Sequence, residues 1–227
     1  MGRFYTLDRP GRVLTDDRDQ RFDPPTRSWM EGLTHPAGEL VDAIAATTWM
    51  QRESGAPCRM PIGVIGPREA TSSQLQIAEA VGRGIGAMGL TLLCGGREGV
   101  MSAAGRGAVD AGGLTIGLLP DTDPRLANPY MAVVIATGIG EARNALIARA
   151  SLCLVAIGNS HGTLSEVALG RHFGKLVIGL EGAAQVEGVR HVGDVAAALC
   201  LVAECVMDAT RPISPAPPRA TQREAPA

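Results

Sequence analysis

Residues 61–99 decide the fold, and they read PIGVIGPREATSSQLQIAEAVGRGIGAMGLTLLCGGREG. An apolar, β-branched run at 62–66 comes first. It is followed by a segment whose apolar residues recur at helical spacing, and then by a second short apolar run at 91–94. Short β-branched runs are typical of buried strands, and a recurrence every three or four residues is typical of a helix. The stretch therefore predicts a strand, a helix and a second strand.

The same alternation continues to about residue 182. Further apolar runs stand at 114–119, 131–135, 152–157 and 176–180, with helical patterns among them. Strands that alternate with helices form a parallel sheet whose connections cross over its faces. We therefore expect an α/β domain over residues 61–207, with a Rossmann-like, doubly wound parallel sheet and helices on both faces.

Each predicted strand ends in glycine or proline at its carboxyl end, which is the edge where open parallel sheets bind ligands. Four glycine-containing loops are expected to converge there, at 66–68, 95–99, 138–140 and 158–162. A glycine loop before a helix lets a phosphate approach the backbone amides of the helix N-terminus. For the loop at 95–99, a tight turn that serves only packing is the alternative.

The flanking segments differ from this domain. Residues 1–60 are polar and rich in turn-forming residues, apart from an apolar stripe from Leu40 to Trp49 that follows Pro36 at helical spacing. We expect an N-terminal extension with one amphipathic helix, which packs on the main domain or on a second subunit. Residues 208–227 are rich in proline and alanine and lack the apolar residues for a core, so a disordered tail is expected.

Composition argues against several classes of function. With a formal net charge of −2 and 3% aromatic residues, the chain has neither the positive field nor the stacking rings of a nucleic-acid channel. Its five cysteines form no C-x-x-C pair and its histidines show no metal-ligand spacing, so neither a disulfide framework nor a metal site is indicated. No apolar run has the length of a membrane span and no signal peptide is evident, so we expect a cytoplasmic protein without nucleic-acid or membrane partners.

Arg143 and Glu166 are the candidate catalytic residues. Arg143 stands where the predicted fourth strand gives way to a helix, and a guanidinium there can bind phosphate through two parallel hydrogen bonds. The alternative is an exposed helical arginine paired with a carboxylate. Glu166 falls in the first turn of the helix predicted after the fifth strand, where a capping box with Thr163 is the alternative to a role facing the substrate.

Further residues at this edge are candidates for binding a ligand or its phosphate. They supply backbone amides, small side chains or hydrogen-bonding groups, and they are Gly66, Gly95, Gly96, Gly99, Met101, Gly140, Asn144, Asn159, Ser160, Gly162 and Thr163. The dinucleotide motif G-x-G-x-x-G is absent after the first strand. Lys175, the only lysine, stands at the start of a strand and away from the ligand edge, which argues against a pyridoxal phosphate enzyme.

Three motifs carry a resemblance to a known family. They are Gly95-Gly96 through Met101, the Gly-x-Gly-x-Ala-Arg-Asn segment at 138–144, and Gly162-Thr163-x-x-Glu166. Over about residues 61–206 the chain resembles the LONELY GUY (LOG) superfamily of Rossmann-like proteins, most closely the branch that contains molybdenum-cofactor carrier proteins. The superfamily includes phosphoribohydrolases, and it assigns phosphate or substrate contact and catalysis to residues that match Arg143 and Glu166.

The chain departs from the hydrolase pattern at two places. In the hydrolases the loop reads Pro-Gly-Gly-x-Gly-Thr-x-x-Glu and the arginine is followed by lysine, whereas here Asn159 and Ser160 replace two glycines and Asn144 replaces the lysine. The resemblance implies a protein that binds a nucleotide or another phosphate-bearing ligand. Such a protein could hydrolyse a nucleoside 5'-monophosphate to free base and ribose 5-phosphate, with no metal or cofactor required. The alternative is a non-catalytic carrier or sensor of a ligand such as the molybdenum cofactor. In both cases the resemblance implies a homo-oligomer.

Overall fold

The computed structural model describes residues 3–26, 28–31 and 37–209 of the chain. These residues form two β-sheets and the helices around them. In chain order the elements are β1 (Phe4–Asp8), β2 (Val13–Thr15), β3 (Gln20–Asp23), β4 (Ser28–Glu31), β5 (Glu39–Asp42), α1 (Ala43–Arg52), β6 (Ile62–Ile65), α2 (Ser72–Ala87), β7 (Leu92–Cys94), α3 (Val100–Asp110), β8 (Thr115–Leu119), a 3-10 helix (Pro124–Leu126), β9 (Val133–Ala136), a second 3-10 helix (Gly140–Arg143), α4 (Asn144–Ala150), β10 (Cys153–Ile157), α5 (His161–His172), β11 (Leu176–Leu180), β12 (Arg190–His191) and α6 (Val195–Ala209).

The larger sheet has seven parallel strands in the order β12-β11-β10-β6-β7-β8-β9. The chain enters it at β6, moves outwards to β9, and then crosses back to β10 on the other side of β6. Pairing of Leu154 with Gly63 and of Val155 with Val64 fixes the register of β10 against β6. The strand order reverses between these two strands, which is the switch point of a doubly wound sheet. The predicted Rossmann-like α/β fold is confirmed.

Helices cover both faces of this sheet. On one face α2, α3 and α6 pack over side chains that include Val64, Leu92 and Ile178. On the other face α4 and α5 pack over side chains that include Ile65 and Leu154. Because both faces are covered, the central strands are apolar along their whole length, as is usual in parallel sheets.

Small residues bring α2 and α3 into backbone contact. A Cβ at Gly82 would lie 1.9 Å from the carbonyl oxygen of Ala104, and a Cβ at Gly107 would lie 2.0 Å from that of Glu79. No larger side chain fits at either position without moving a backbone. This close contact fixes α3 against the sheet and so places its first turn at the carboxyl edge of β6.

The limits of two elements differ from the prediction. The fourth strand of the series, expected at 131–135, is Val133–Ala136. The single helix expected after that strand is divided into the 3-10 helix Gly140–Arg143 and α4, which begins at Asn144. Gly138 and Gly140 have φ angles of 68° and 61°, so the chain turns sharply just before Arg143 and a regular α-helix starts only after that turn.

The N-terminal segment forms a second sheet, which was not predicted. Its five strands are antiparallel in the order β4-β3-β2-β1-β5. Leu40 and Val41, predicted as the start of the helical stripe, lie instead in β5, with Val41 buried and Leu40 71% exposed. The helix starts after Asp42, whose carboxylate accepts a hydrogen bond from the Ala45 amide at 2.8 Å. That part of the prediction was wrong because two adjacent apolar residues fit a strand end as well as a helix start.

This N-terminal sheet packs on α1 and α6 and shares their apolar core. The ring of Trp29 lies 6.0 Å from that of Tyr5 and 5.7 Å from that of Phe22, and its Nε1 donates to the carbonyl oxygen of Met207 at 3.1 Å. The extension therefore packs on the main domain, which is one of the two arrangements expected. The tail expected from residue 208 starts too early, because positions 208 and 209 belong to α6; positions 210–227 lie outside the described residues, as does Pro36.

Candidate functional site

A cavity of about 550 Å³ lies at the switch point, beyond the carboxyl ends of β6 and β10. Volumes of roughly 300–1,000 Å³ are typical of small-molecule sites. The walls come from the loop after β6, the first turn of α3, the segment around the start of α4, and the first two turns of α5. The cavity therefore occupies the place where the fold is expected to hold a ligand.

Most of the predicted site residues meet in this cavity, and they are Gly66, Met101, Arg143, Asn144, Asn159, Ser160, Gly162, Thr163 and Glu166. Pro67, Arg68, Glu69 and Glu141 also line it and were not proposed as site residues. Their only signal in the sequence is position, since they follow a predicted strand or precede Arg143 at the ligand edge. The predicted ligand contacts Gly95, Gly96, Gly99 and Gly140 lie outside the wall.

Arg143 and Glu166 form a buried ion pair in the wall of the cavity. Nη1 of Arg143 donates to Oε1 of Glu166 at 3.1 Å, and the two residues are 4% and 6% exposed. Of the alternative given for Arg143, the pairing with a carboxylate is confirmed and the exposure is wrong. The capping alternative is wrong for Glu166, because α5 begins at His161 and Glu166 lies in its second turn.

The N-terminus of α5 faces the same cavity. Ser160 caps this helix: its Oγ accepts from the Thr163 amide at 3.1 Å and lies 2.9 Å from the Thr163 hydroxyl. Thr163 was the expected cap because Thr163 and Glu166 have the spacing of a capping box, but the helix begins two residues earlier, at His161. The first amides of a helix have no partner within the helix and carry its positive partial charge. The wall around Gly162 is therefore suited to an anion.

Residues 158–162 read GNSHG and match the G-x-S-x-G pattern of serine hydrolases, a match that the sequence interpretation missed. The strand, turn and helix around it are the expected context. However, Ser160 has an unstrained, extended backbone with φ −156° and ψ 170°, and its hydroxyl is used as the cap of α5. The hydrogen bonds recorded for its Oγ among the described residues join it to Thr163. A nucleophilic serine needs a base within hydrogen-bond reach, so this geometry does not support one.

Gly95 makes room for the arginine. A Cβ at Gly95 would lie 2.5 Å from Nη2 of Arg143 and 2.8 Å from Sδ of Met101. Its role is therefore to let the guanidinium pack against the backbone of the loop after β7. This position could not be assigned from sequence, because it depends on a contact with a distant part of the chain.

Gly96 and Gly99 also make close packing contacts and do not line this cavity. A Cβ at Gly96 would lie 3.2 Å from Cα of Gly117 in β8, and a Cβ at Gly99 would lie 2.2 Å from the carbonyl oxygen of Arg68. These two glycines let the loop before α3 approach its neighbours. The packing alternative is therefore favoured for Gly95 and Gly96, whereas Gly99 has such close contacts and also lines a second cavity.

Asn144 extends the polar wall next to Arg143. Its Nδ2 donates to Oγ of Ser165 at 2.8 Å, and the Ser165 hydroxyl donates to the carbonyl oxygen of Gly162 at 2.7 Å. Because that hydroxyl has one hydrogen, it can only accept from Asn144, and the amide orientation follows. Among the described residues, Oδ1 of Asn144 and Nε of Arg143 are buried and have no hydrogen-bond partner. A ligand or a side-chain rearrangement that gives these two atoms a hydrogen-bond partner is therefore stabilising.

Two opposing effects set the pKa of Glu166. Burial raises the pKa of Glu166 to about 7, although the positive charge and hydrogen bond of Arg143 act in the opposite direction. Behind the pair, burial raises the pKa of Cys94 to about 12, so this thiol stays neutral. Below pH 7 Glu166 is mainly protonated and leaves the charge of Arg143 uncompensated; above pH 7 the carboxylate compensates it.

We expect anion affinity at this site to fall as pH rises from 6 to 8. Sulfate is a suitable probe because its own charge does not change over this range. Its dissociation constant, measured by calorimetry, should rise by about threefold or more, since an ionised Glu166 competes for Arg143. The Glu166→Gln variant is the control and should show a flat profile. A wild-type profile as flat as that of the variant would contradict this account of the pair.

The structure was also considered for metal binding and for membrane-spanning helices. Within residues 3–26, 28–31 and 37–209, no group of three or more histidine, cysteine, aspartate or glutamate side chains is placed to hold a metal ion. No helix in this part of the chain is long and apolar enough to cross a membrane.

Comparison with known proteins identifies relatives of the parallel-sheet domain. The molybdenum cofactor binding protein of Rippkaea orientalis is 36% identical, with a TM-score of 0.63 over 65% of this chain and 98% of that one. The molybdenum cofactor carrier protein of Chlamydomonas reinhardtii is 38% identical, with a TM-score of 0.60 over 65% of this chain and 98% of that one. An uncharacterized protein of Archaeoglobus fulgidus is 40% identical over 131 residues, which are 58% of this chain and 86% of the relative. The model of the SLOG cluster4 family matches residues 59–206, well over half of the chain, and the protein therefore belongs to the SLOG cluster4 family.

Proposed function

We propose that the protein is a carrier that binds a phosphate-bearing small molecule of the molybdenum-cofactor type in the switch-point cavity and releases it unchanged. The observation that carries the proposal is the buried guanidinium of Arg143 beside the N-terminus of α5. Both features lie within the part of the chain that is similar to proteins described as binding or carrying this cofactor. We therefore propose that the protein belongs to the branch of the LOG superfamily that contains the molybdenum-cofactor carrier proteins.

The cavity wall fits the two parts of such a ligand. A phosphate can take hydrogen bonds from Arg143 and from the first amides of α5. A pterin ring has hydrogen-bond donors and acceptors along its edge, and the amide of Asn159 and Oδ1 of Asn144 in the wall offer groups to match them. The buried, unpaired Oδ1 of Asn144 would gain a donor if the wall rearranges around the ligand.

A phosphoribohydrolase is the second candidate, and Glu166 is the observation that favours it. This carboxyl lines the cavity and has a pKa of about 7, which suits a group that orients or deprotonates water. Against it, Glu166 is hydrogen bonded to Arg143, and Asn159 and Ser160 stand where the phosphoribohydrolases have glycines. We therefore favour binding without turnover.

One pair of assays separates the two candidates. Ligand-free protein is titrated with isolated molybdenum cofactor and, separately, incubated with AMP at micromolar protein for hours while adenine is measured. We expect saturable cofactor binding and no adenine. Adenine and ribose 5-phosphate released by wild type but not by Glu166→Gln would replace the carrier with the hydrolase, and absence of both binding and turnover would remove both candidates.

A further inference from the structure

A second cavity of about 330 Å³ adjoins the first one, between the start of α2 and the first turn of α3. Arg68 lines both cavities. Met101 faces the first cavity, and the next residue, Ser102, faces the second. Arg68 and the first turn of α3 therefore separate the two cavities.

The second cavity has an apolar floor and a charged rim. Leu75 and Tyr130 are partly buried side chains that pack against the main core and line this cavity. Arg68 and Glu98 also line the cavity, as does Arg106, whose Nη2 is paired with Glu79. An apolar floor with the guanidinium of Arg68 beside it suits a flat aromatic ring that carries an anionic group. The carboxylate of Glu98 can accept hydrogen bonds from amino or hydroxyl groups on the same ligand.

Arg68 is available to such a ligand. Its side chain is 52% exposed, and the ion pair recorded for it joins Nη2 to Oε1 of Glu141 across 3.9 Å. Exposed pairs at that distance contribute little to holding a side chain in place. The guanidinium can therefore turn towards a phosphate that lies between the two cavities.

We propose that the ligand site continues over Arg68, and that the second cavity takes the nucleoside half of a ligand whose two halves are joined by a diphosphate. Arg143 and the N-terminus of α5 take one phosphate, Arg68 takes the other, and the ring of the second half lies on Tyr130 and Leu75. This inference rests on the proposed phosphate site in the first cavity. It involves binding only, and no bond is made or broken.

The test compares two probes that differ by the second half. AMP fits the first cavity alone, whereas diadenosine diphosphate spans both. We expect wild type to bind the dinucleotide about tenfold or more tighter than AMP by calorimetry. In Ser102→Trp the indole fills the second cavity, so the dinucleotide should lose this advantage while AMP affinity stays within about twofold. Ser102→Ala is the matched control and should retain the advantage.

A second variant tests the same inference in case Ser102→Trp does not fold. Tyr130→Ala removes the ring from the floor and should also reduce binding of the dinucleotide but not of AMP. Equal affinity of wild type for both probes would refute the second cavity and leave the phosphate site intact. The same conclusion follows if folded Ser102→Trp and Tyr130→Ala both keep the full preference for the dinucleotide. If wild type binds neither probe, this inference is refuted, whereas the carrier proposal still stands or falls with the titration by isolated molybdenum cofactor.

Discussion

Replacing Arg143 with alanine is expected to weaken the binding of AMP or sulfate by roughly 10- to 150-fold. A hydrogen bond to a charged group contributes about 1.5–3 kcal/mol, and each 1.4 kcal/mol is about a factor of ten in the dissociation constant. Arg143 is buried in the wall between the α5 N-terminus and the loop after β7, so no solvent-exposed side chain can readily replace it. Calorimetry at constant pH measures the effect.

Arg149→Ala is the matched control for this experiment. Arg149 lies on the same helix as Asn144, but its guanidinium carbon stands 3.7 Å above the ring of Phe173 and it does not line the cavity. Its loss should leave the dissociation constant within about twofold. A folded Arg143→Ala variant that binds as tightly as wild type would exclude this arginine from the site.

Replacing Trp29 with alanine is expected to lower the free energy of unfolding by about 3–5 kcal/mol, as is typical for large buried aromatic residues. Trp29 is 3% exposed, packs on two other rings of the N-terminal sheet, and donates a hydrogen bond to the last turns of α6. Because that sheet and the parallel-sheet domain share a core, we expect a single urea transition that shifts as a whole.

The neighbouring residue provides the control. Met30 belongs to the same strand but is 54% exposed, so Met30→Ala should change stability by no more than about 0.5 kcal/mol. Two separate urea transitions, of which Trp29→Ala shifts only the one at lower urea concentration, would show that the N-terminal sheet folds independently of the rest.

The parallel sheet was predictable because its strands are buried on both faces. All five residues of β10 are buried, and such a strand is a continuous apolar run. The N-terminal strands give a weaker signal. β3 contains one buried residue, Phe22, and the three residues of β2 are too few to show a period. Their pairing is decided by contacts with α1 and α6, which no local pattern contains.

The site was predictable where a motif coincided with a strand end, as for Arg143, Asn144 and Glu166. It was not predictable where a residue's role depends on what packs behind it. Gly95 was assigned to the ligand, yet it accommodates the guanidinium of Arg143. Ser160 was assigned to the phosphate loop, yet its hydroxyl caps α5, because the N-cap lies three residues before Thr163, the expected one.

The most direct test of the carrier proposal is to identify the small molecule that co-purifies with the protein. Native mass spectrometry of wild type and of Arg143→Ala, purified in parallel from cells that make the molybdenum cofactor, provides the comparison. We predict a bound, phosphate-containing pterin on wild type and its loss from the variant. A wild-type protein that carries no such molecule, or a variant that retains it in full, would contradict the assignment of this cavity to the ligand.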